Sequence, residues 1–185
     1  MTDRVTDALR TAHTHQLSES GLAGIRTMLH GAFGGDFGEE DWAHALGGVH
    51  AFVRDGRGVA AHGSVIMRRV LHVGRSYRVG YVEAVAVRAD RRRQGLGGRV
   101  MQALETVIDG AYDLGALSAS DDGAELYGVR GWQLWRGRIE VMAPKGTVHL
   151  PEEEDSTWLR PTAGASLPES AGGPLVFDWR DGDVL

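Results

Sequence analysis

Between Tyr81 and Ile108 the apolar positions change from a strand pattern to a helix pattern. Tyr81 to Val87 is rich in valine and has no breaker, which predicts a buried strand. Three arginines, Arg91 to Arg93, and a turn, Gly95-Leu96-Gly97-Gly98, follow. Leu96, Val100, Leu104, Val107 and Ile108 then recur at spacings of three and four, one apolar stripe of a helix. A strand running through a basic glycine turn into a helix start makes an anion site. The first N–H groups of the helix lack intrahelical partners, and its dipole adds partial positive charge.

Upstream, Ala8–Leu17 is expected to be a strand and residues 1–6 a polar, frayed start. Ser18 can cap a helix with Leu22, Ile25, Leu29, Ala32 and Phe33 on one side, stopped by Gly34-Gly35. Asp36 and Glu39 have capping-box spacing for a short helix, Glu40–Leu46. Val49–Arg54, Val59–Val73 and Ser76–Val87 form a predicted meander, with Asp55-Gly56 and Gly74-Arg75 at its turns.

Downstream, Gly115–Ala119 reads as a strand. Ser120, Asp121 and Asp122 open a helix through Arg130, with Gly131 suited to follow it. Trp132–Met142, Thr157–Pro161 and Pro174–Arg180 read as strands. Residues 144–151 and 163–173 read as loops, with an acidic run, Glu152 to Asp155, after the first. The prediction is one α/β (α+β) domain over 1–185, a mixed, mostly antiparallel sheet flanked by helices.

Composition narrows the chemistry. The 185 residues include no cysteine, which excludes disulfides, thiolate metal sites and a cysteine acyl-enzyme. A net charge of −5 argues against nucleic-acid binding and favours a cationic small partner. No apolar run reaches the roughly 20 residues that span a bilayer, and the start of the chain has no signal core. A soluble, cytoplasmic protein that binds no membrane is expected. The eight histidines show no metal-ligand spacing; His13 and His15 share a strand face with no third ligand, so no metal site is expected.

The glycine turn alone is open to several readings. It could be a plain connection with solvated arginines. A dinucleotide fingerprint fails because Val100 stands where the third glycine belongs, and a Walker motif fails for lack of Gly-Lys-Ser/Thr. Arg92-Arg93-Gln94-Gly95-Leu96-Gly97, however, resembles the R/Q-x-x-G-x-G/A signature of the GCN5-related N-acetyltransferases. Ala124 to Trp132 resembles that superfamily's later A-x-x-x-Y-x-x-x-G-[FW] segment.

Further phrases are similar to the aminoglycoside 2′-N-acetyltransferases of actinobacteria. They include Gly31 to Phe37, Asp41-Trp42, Gly80 to Glu83, Val85 to Asp90, Leu114 to Ser118, Arg130-Gly131-Trp132, Asp178-Trp179-Arg180 and Gly182-Asp183-Val184. The resemblance covers nearly the whole chain except 145–172. It implies the acetyltransferase fold and direct transfer of acetyl from acetyl-CoA (coenzyme A), as cosubstrate, to the 2′-amine of an aminoglycoside. A homodimer is also implied.

For the cosubstrate, the resemblance implies main-chain groups of Val85, Ala86 and Val87 along the pantetheine arm. Arg92, Arg93, Gln94, Gly95, Leu96, Gly97 and Gly98 are implied around the pyrophosphate. For chemistry it implies Glu83 as base through a water, the Val85 N–H at the oxyanion, and Tyr127 as proton donor to the departing thiolate. For the acceptor it favours Asp36, Asp41, Glu83, Ser118, Glu153 and Asp183, with Asp178 as an alternative to Asp183. Taken alone, Glu83 could equally be a paired carboxylate in a half-buried strand, Tyr127 a core ring, Asp36 a helix cap and 152–155 a solvated acidic run. Leu185 stands where the family pattern has a tryptophan, so one wall of the acceptor pocket is expected to differ. An acetyltransferase for another amine (a polyamine or thiol-cofactor precursor) and a non-catalytic acyl-CoA-binding module remain as alternatives.

Overall fold

A computed structural model describes residues 8–119 and 121–185. The polar start at 1–6 and Ser120, expected to open a helix, lie outside the described residues. Ten strands join one mixed sheet in which antiparallel pairs predominate, with helices alongside. The described residues group into two compact units, 8–66 with 82–106, and 67–81 with 107–119 and 121–185.

The first unit begins with β1 (Leu9–His13), shorter than the predicted strand because Thr14–Gln16 turns into a 3₁₀ helix. His15 therefore lies beyond the strand, although its ring still meets His13 at 2.8 Å. In α1 (Glu19–Ala32), the Ser18 hydroxyl accepts the Gly21 N–H at 3.1 Å. Ile25, Met28 and Leu29 are buried in a cluster with Phe37, Phe52 and Val59. The helix stops in a Schellman turn: Gly34 and Gly35 adopt φ of 66° and 94°, and the Gly35 N–H reaches the His30 carbonyl at 2.8 Å. This corrects the predicted stripe. Phe33 is the C-cap, is 44% exposed and stacks on Phe37, whereas Met28 takes the buried position.

Helix α2 (Glu39–His44) also differs from its prediction. Gly38, not Asp36, is its N-cap, and the Asp41 carboxylate reaches back to the Gly38 N–H at 2.7 Å. Strand β2 (Val49–Asp55) pairs antiparallel with β1 and with β3 (Gly58–His72), near the predicted bounds. This unit also holds Val82–Val87 of β4 (Arg75–Val87) and Leu96–Thr106 of α3 (Leu96–Ala111). Gly63 of β3 lies so close to α3 that a Cβ there would stand 2.9 Å from Val100 and 3.0 Å from Leu104.

The second unit contains the parallel pairing of β4 with β5 (Leu114–Ser118), which runs from Val79 to Tyr81 and ends there. Helix α4 (Asp121–Gly128) follows; Gly131, with φ of 84°, turns the chain beyond it. The predicted strand 132–142 divides into β6 (Gln133–Leu134) and β7 (Ile139–Ala143). Trp135 turns into the core between them, with its Nε1–H 3.4 Å from the Arg138 carbonyl. Strand β8 (Gly146–His149) arises where a loop was expected; all four of its residues are exposed, so it has no alternation, and it forms by pairing with β7. Strand β9 (Thr157–Pro161) pairs with β5 and β6, and β10 (Leu175–Asp178) with β7 and β3.

The end of the chain is tied down within the second unit. The nearly buried Arg68 guanidinium holds Asp178 at 2.8 Å and the Val184 carbonyl at 2.6 Å, and lies over the Tyr81 ring. Leu185 is buried in the cluster of Tyr81, Leu175 and Phe177.

Packing at Gly63 yields a direct test. Gly63→Ala should lower unfolding stability by about 1–3 kcal/mol, the cost of overpacking a tight core site. Urea unfolding that matches the parent protein would contradict that packing.

Candidate active site

In the first unit the region of interest runs from Glu83 to Gly98. Strand β4 passes Tyr81, where its register with β5 ends, and continues to Val87. In a regular strand successive residues point to opposite faces. Ala84 breaks that rule with a φ of 50°, between Glu83 and Val85. A left-handed alanine costs about 1–2 kcal/mol, so its surroundings must hold it. Two side chains of β3 do so: His62 Nδ1 lies 3.0 Å from the Ala84 carbonyl, and the Ser64 hydroxyl donates to the Glu83 carbonyl at 3.5 Å. Glu83, Val85, Ala86 and Val87 are all half-buried.

The anion loop follows. Arg93 and Gly95 take φ of 59° and 76°. The Gly95 carbonyl accepts the first helical bond of α3, from the Arg99 N–H at 3.1 Å. Gly95 is thus the cap residue, and the amides of Leu96, Gly97 and Gly98 have no partner within their helix. A helix start with free N–H groups and a favourable dipole is the kind of place that suits an anion.

The arginine side chains have other tasks. Arg92 reaches the carbonyls of Val87 (3.4 Å) and Ala32 (3.3 Å). Arg91 pairs with Asp55 and donates to Gln94 Oε1, and Gln94 donates to the Asp90 carbonyl. Arg88 spans Asp55 and Asp90, both at 2.6 Å, and Arg57 also meets Asp90 at 2.6 Å. Arg88 beside it holds the Asp55 carboxyl down at about 2, and the two aspartates raise the Arg88 guanidinium in turn. An ion network anchored on the β2–β3 turn therefore braces the loop.

The second unit holds the other predicted residues. Tyr127, on α4, is buried beside Trp132, and burial pushes its phenol up to about 12. It therefore keeps its proton at any physiological pH. The structure brings together Ser118 and Glu153: the Ser118 hydroxyl lies 3.0 Å from Glu153 Oε2, and the Ser156 hydroxyl donates to the same oxygen at 2.6 Å. Asp183 is exposed, with its carbonyl accepting from Arg180 at 3.2 Å. Asp178 is engaged by Arg68 and is not an open carboxylate. In the first unit Asp36 is exposed, whereas Asp41 closes the turn of α2.

A family model described as Nodulation protein A (NodA) matches residues 12–116, more than half of the chain. An aminoglycoside 2′-N-acetyltransferase from Mycolicibacterium fortuitum is 46% identical over 178 residues, covering 95% of this chain and 90% of that protein. The chain belongs to the aminoglycoside 2′-N-acetyltransferase family. Its segment 12–116 also belongs to the NodA family. Among solved structures, the GNAT family N-acetyltransferase YhbS from Escherichia coli, in complex with CoA, matches with a TM-score of 0.64 at 18% identity. That match covers 96% of this chain and 93% of that one. A GCN5-related N-acetyltransferase from Kribbella flavida matches with a TM-score of 0.58 at 22% identity over 72% of this chain; the chain spans about a third (35%) of that larger protein. The fold is that of the GCN5-related N-acetyltransferases, and the chain is an acyltransferase.

The sequence marked Asp55 only as a turn residue and did not single out His62 or Ser64. The available signal was polar residues inside an otherwise apolar strand, Val59 to Val65. All polar side chains in that run are wholly buried.

Asp55 makes the bracing of this acetyltransferase's loop testable by pH. Its folded-state value lies below that of an unfolded carboxylate, so its contribution is complete above about pH 4 and lost as the pH falls toward about 2. Asp55→Asn should lower stability at neutral pH by about 2 kcal/mol and flatten the acid-side fall in melting temperature. An unchanged melting temperature at pH 7, or an unchanged slope between pH 4 and 2, would contradict the assignment.

Proposed function

We propose that this chain transfers acetyl from acetyl-CoA to the 2′-amino group of aminoglycosides, by direct attack in a ternary complex, and so confers resistance to them. The observation that carries this reading is the 46% identity, across 95% of the chain, to an aminoglycoside 2′-N-acetyltransferase. The amides at the start of α3 that lack helical partners support the diphosphate cosubstrate. The fold match to a CoA complex supports the same cosubstrate. An acceptor with several ammonium groups suits a chain of net charge −5.

The chemistry proceeds from protonation states. Only the neutral amine attacks the thioester, so the ammonium first loses a proton, and Glu83 accepts it through a water. The amine nitrogen bonds to the carbonyl carbon and the Val85 N–H stabilises the oxyanion. Collapse breaks the C–S bond; the nitrogen sheds its second proton, and the departing CoA sulfur takes one up to leave as the thiol. The family resemblance assigns Tyr127 to that sulfur, and its phenol is protonated. A phenol at about 12 is a weaker acid than a thiol of about 8.5, so Tyr127 stabilises the thiolate by a hydrogen bond rather than by outright proton donation. With no cysteine in the chain, a covalent cysteine intermediate is excluded.

The pantetheine arm would add along Val85 to Val87 as an extra strand, where β4 has passed beyond its register with β5. The Ser118–Glu153 pair offers a hydroxyl and a carboxylate to the cationic acceptor. Asp36 and Asp183 offer exposed carboxylates, and Asp41 contributes chiefly by shaping α2.

Kanamycin B carries an amine at the 2′ position and kanamycin A a hydroxyl. Free CoA should be released rapidly with kanamycin B and not with kanamycin A; equal release with both, or none with either, would refute the 2′ assignment. Glu83→Gln should reduce kcat at neutral pH about 100-fold and leave the KM for acetyl-CoA near its parent value. A kcat within twofold of the parent across pH 6 to 9 would remove Glu83 as the base.

A further inference from the structure

Two histidines, His50 on β2 and His62 on β3, are wholly buried in the first unit and have no part in the chemistry above. They form a continuous polar chain. His62 Nδ1 lies 3.0 Å from the Ala84 carbonyl, His62 Nε2 lies 2.9 Å from His50 Nδ1, and His50 Nε2 lies 2.8 Å from the Thr14 hydroxyl. That hydroxyl in turn accepts the Gly47 N–H at 2.9 Å.

The Ala84 carbonyl sets the direction of the bonds through the two rings. A carbonyl only accepts, so His62 Nδ1 carries a proton and donates it to Ala84. The neutral ring then offers a lone pair at Nε2, which the His50 Nδ1–H fills. His50 Nε2 is left as an acceptor, and the Thr14 hydroxyl, 2.8 Å from it and 3.3 Å from the Gly48 carbonyl, gives its one proton to the nearer ring nitrogen. Each polar atom of the two rings is satisfied once, with both rings neutral. Burial, and then the charge each ring would place on the other, holds His62 near 3. Burial, and then the charge of His13, holds His50 near 4. The single arrangement therefore persists through the neutral range.

The chain ends on the one residue of β4 with a left-handed φ, Ala84. Its neighbours are Glu83 and Val85. The carbonyls of Glu83 and Ala84 would point to opposite edges in a regular strand. Here both are met by side chains of β3, from Ser64 and His62. If Ala84 relaxed to an extended conformation, the alternation beyond it would shift by one and move the Val85 amide and the face that Glu83 presents.

We propose that Thr14, His50 and His62 form a positioning device for acetyl transfer, holding Ala84 in its left-handed conformation and thereby fixing Glu83 and the Val85 N–H relative to each other. The proposal rests on the roles given above to Glu83 and Val85. None of the three touches substrate; they act through the backbone of β4.

The test uses the full chain with two readouts. His62→Leu removes the donor to Ala84, and His62→Asn keeps an amide nitrogen where Nδ1 stands. In substrate-free protein, His62→Leu should speed hydrogen exchange at the Ala84 and Val85 amides about tenfold or more, relative to the rest of β3 and β4. With kanamycin B and acetyl-CoA, its kcat should fall about 100-fold, the scale for a misplaced catalytic group, with the KM for acetyl-CoA within about twofold. His62→Asn should restore most of both. A folded His62→Leu with parent exchange at Ala84 and Val85, or Leu and Asn variants equally impaired, overturns the proposal. Should His62→Leu not fold, Thr14→Val tests the far end of the chain: a smaller rise in the same exchange rates with a parallel fall in kcat supports it, and parent values of both overturn it. If the parent protein itself acetylates no kanamycin, the functional reading fails, and the exchange measurements alone decide the question of Ala84.

Discussion

The active segment depends on a backbone constraint in β4. A strand that stayed regular through Glu83, Ala84 and Val85 would alternate their faces and carbonyls. Ala84 instead takes a φ of 50°, at a cost of about 1–2 kcal/mol, and the structure offsets it with buried donors from β3. Close packing supports the same place, because Gly63 lets β3 approach Val85, Val100 and Leu104 without an intervening Cβ. Irregular backbone is thus concentrated where chemistry is proposed and is secured by rigid neighbours on each side.

Downstream of that irregularity the same economy recurs. In the loop before α3, Arg91 pairs with Asp55 and Arg92 reaches the carbonyls of Val87 and Ala32, while Arg88 spans Asp55 and Asp90. This network braces the backbone that leads into the helix start. Asp55 sits on a tight turn between β2 and β3, so a hairpin far from the loop in sequence determines its shape. Within the second unit, Arg68 performs a comparable task, joining Asp178 and Val184 across more than a hundred residues.

Much of this was legible from periodicity. Strands β2 to β5, β9 and β10 and helices α1 and α3 carry clean patterns, and the glycine turn marked the start of α3. The failures have local physical causes. Phe33 fits the helical stripe, but the Schellman turn at Gly34 and Gly35 carries it out to solvent. Strand β8 is exposed throughout and owes its existence to pairing with β7. Trp135 divides one apolar run into two strands by turning inward. The histidine chain was invisible because its members lie 12, 22 and 36 residues apart and each looks like an isolated polar residue. Asp178 matched a family phrase, yet Arg68 takes it; Ser118 and Glu153 were named separately by resemblance, and their hydrogen bond was not foreseen.

The central claim is that acetyl reaches one particular nitrogen. The most direct measurement is the two-dimensional NMR spectrum of the product formed from kanamycin B and acetyl-CoA. The account predicts a single new acetamide whose N–H couples to the proton on C2′. An acetamide on any other nitrogen, or a mixture of sites, would contradict it.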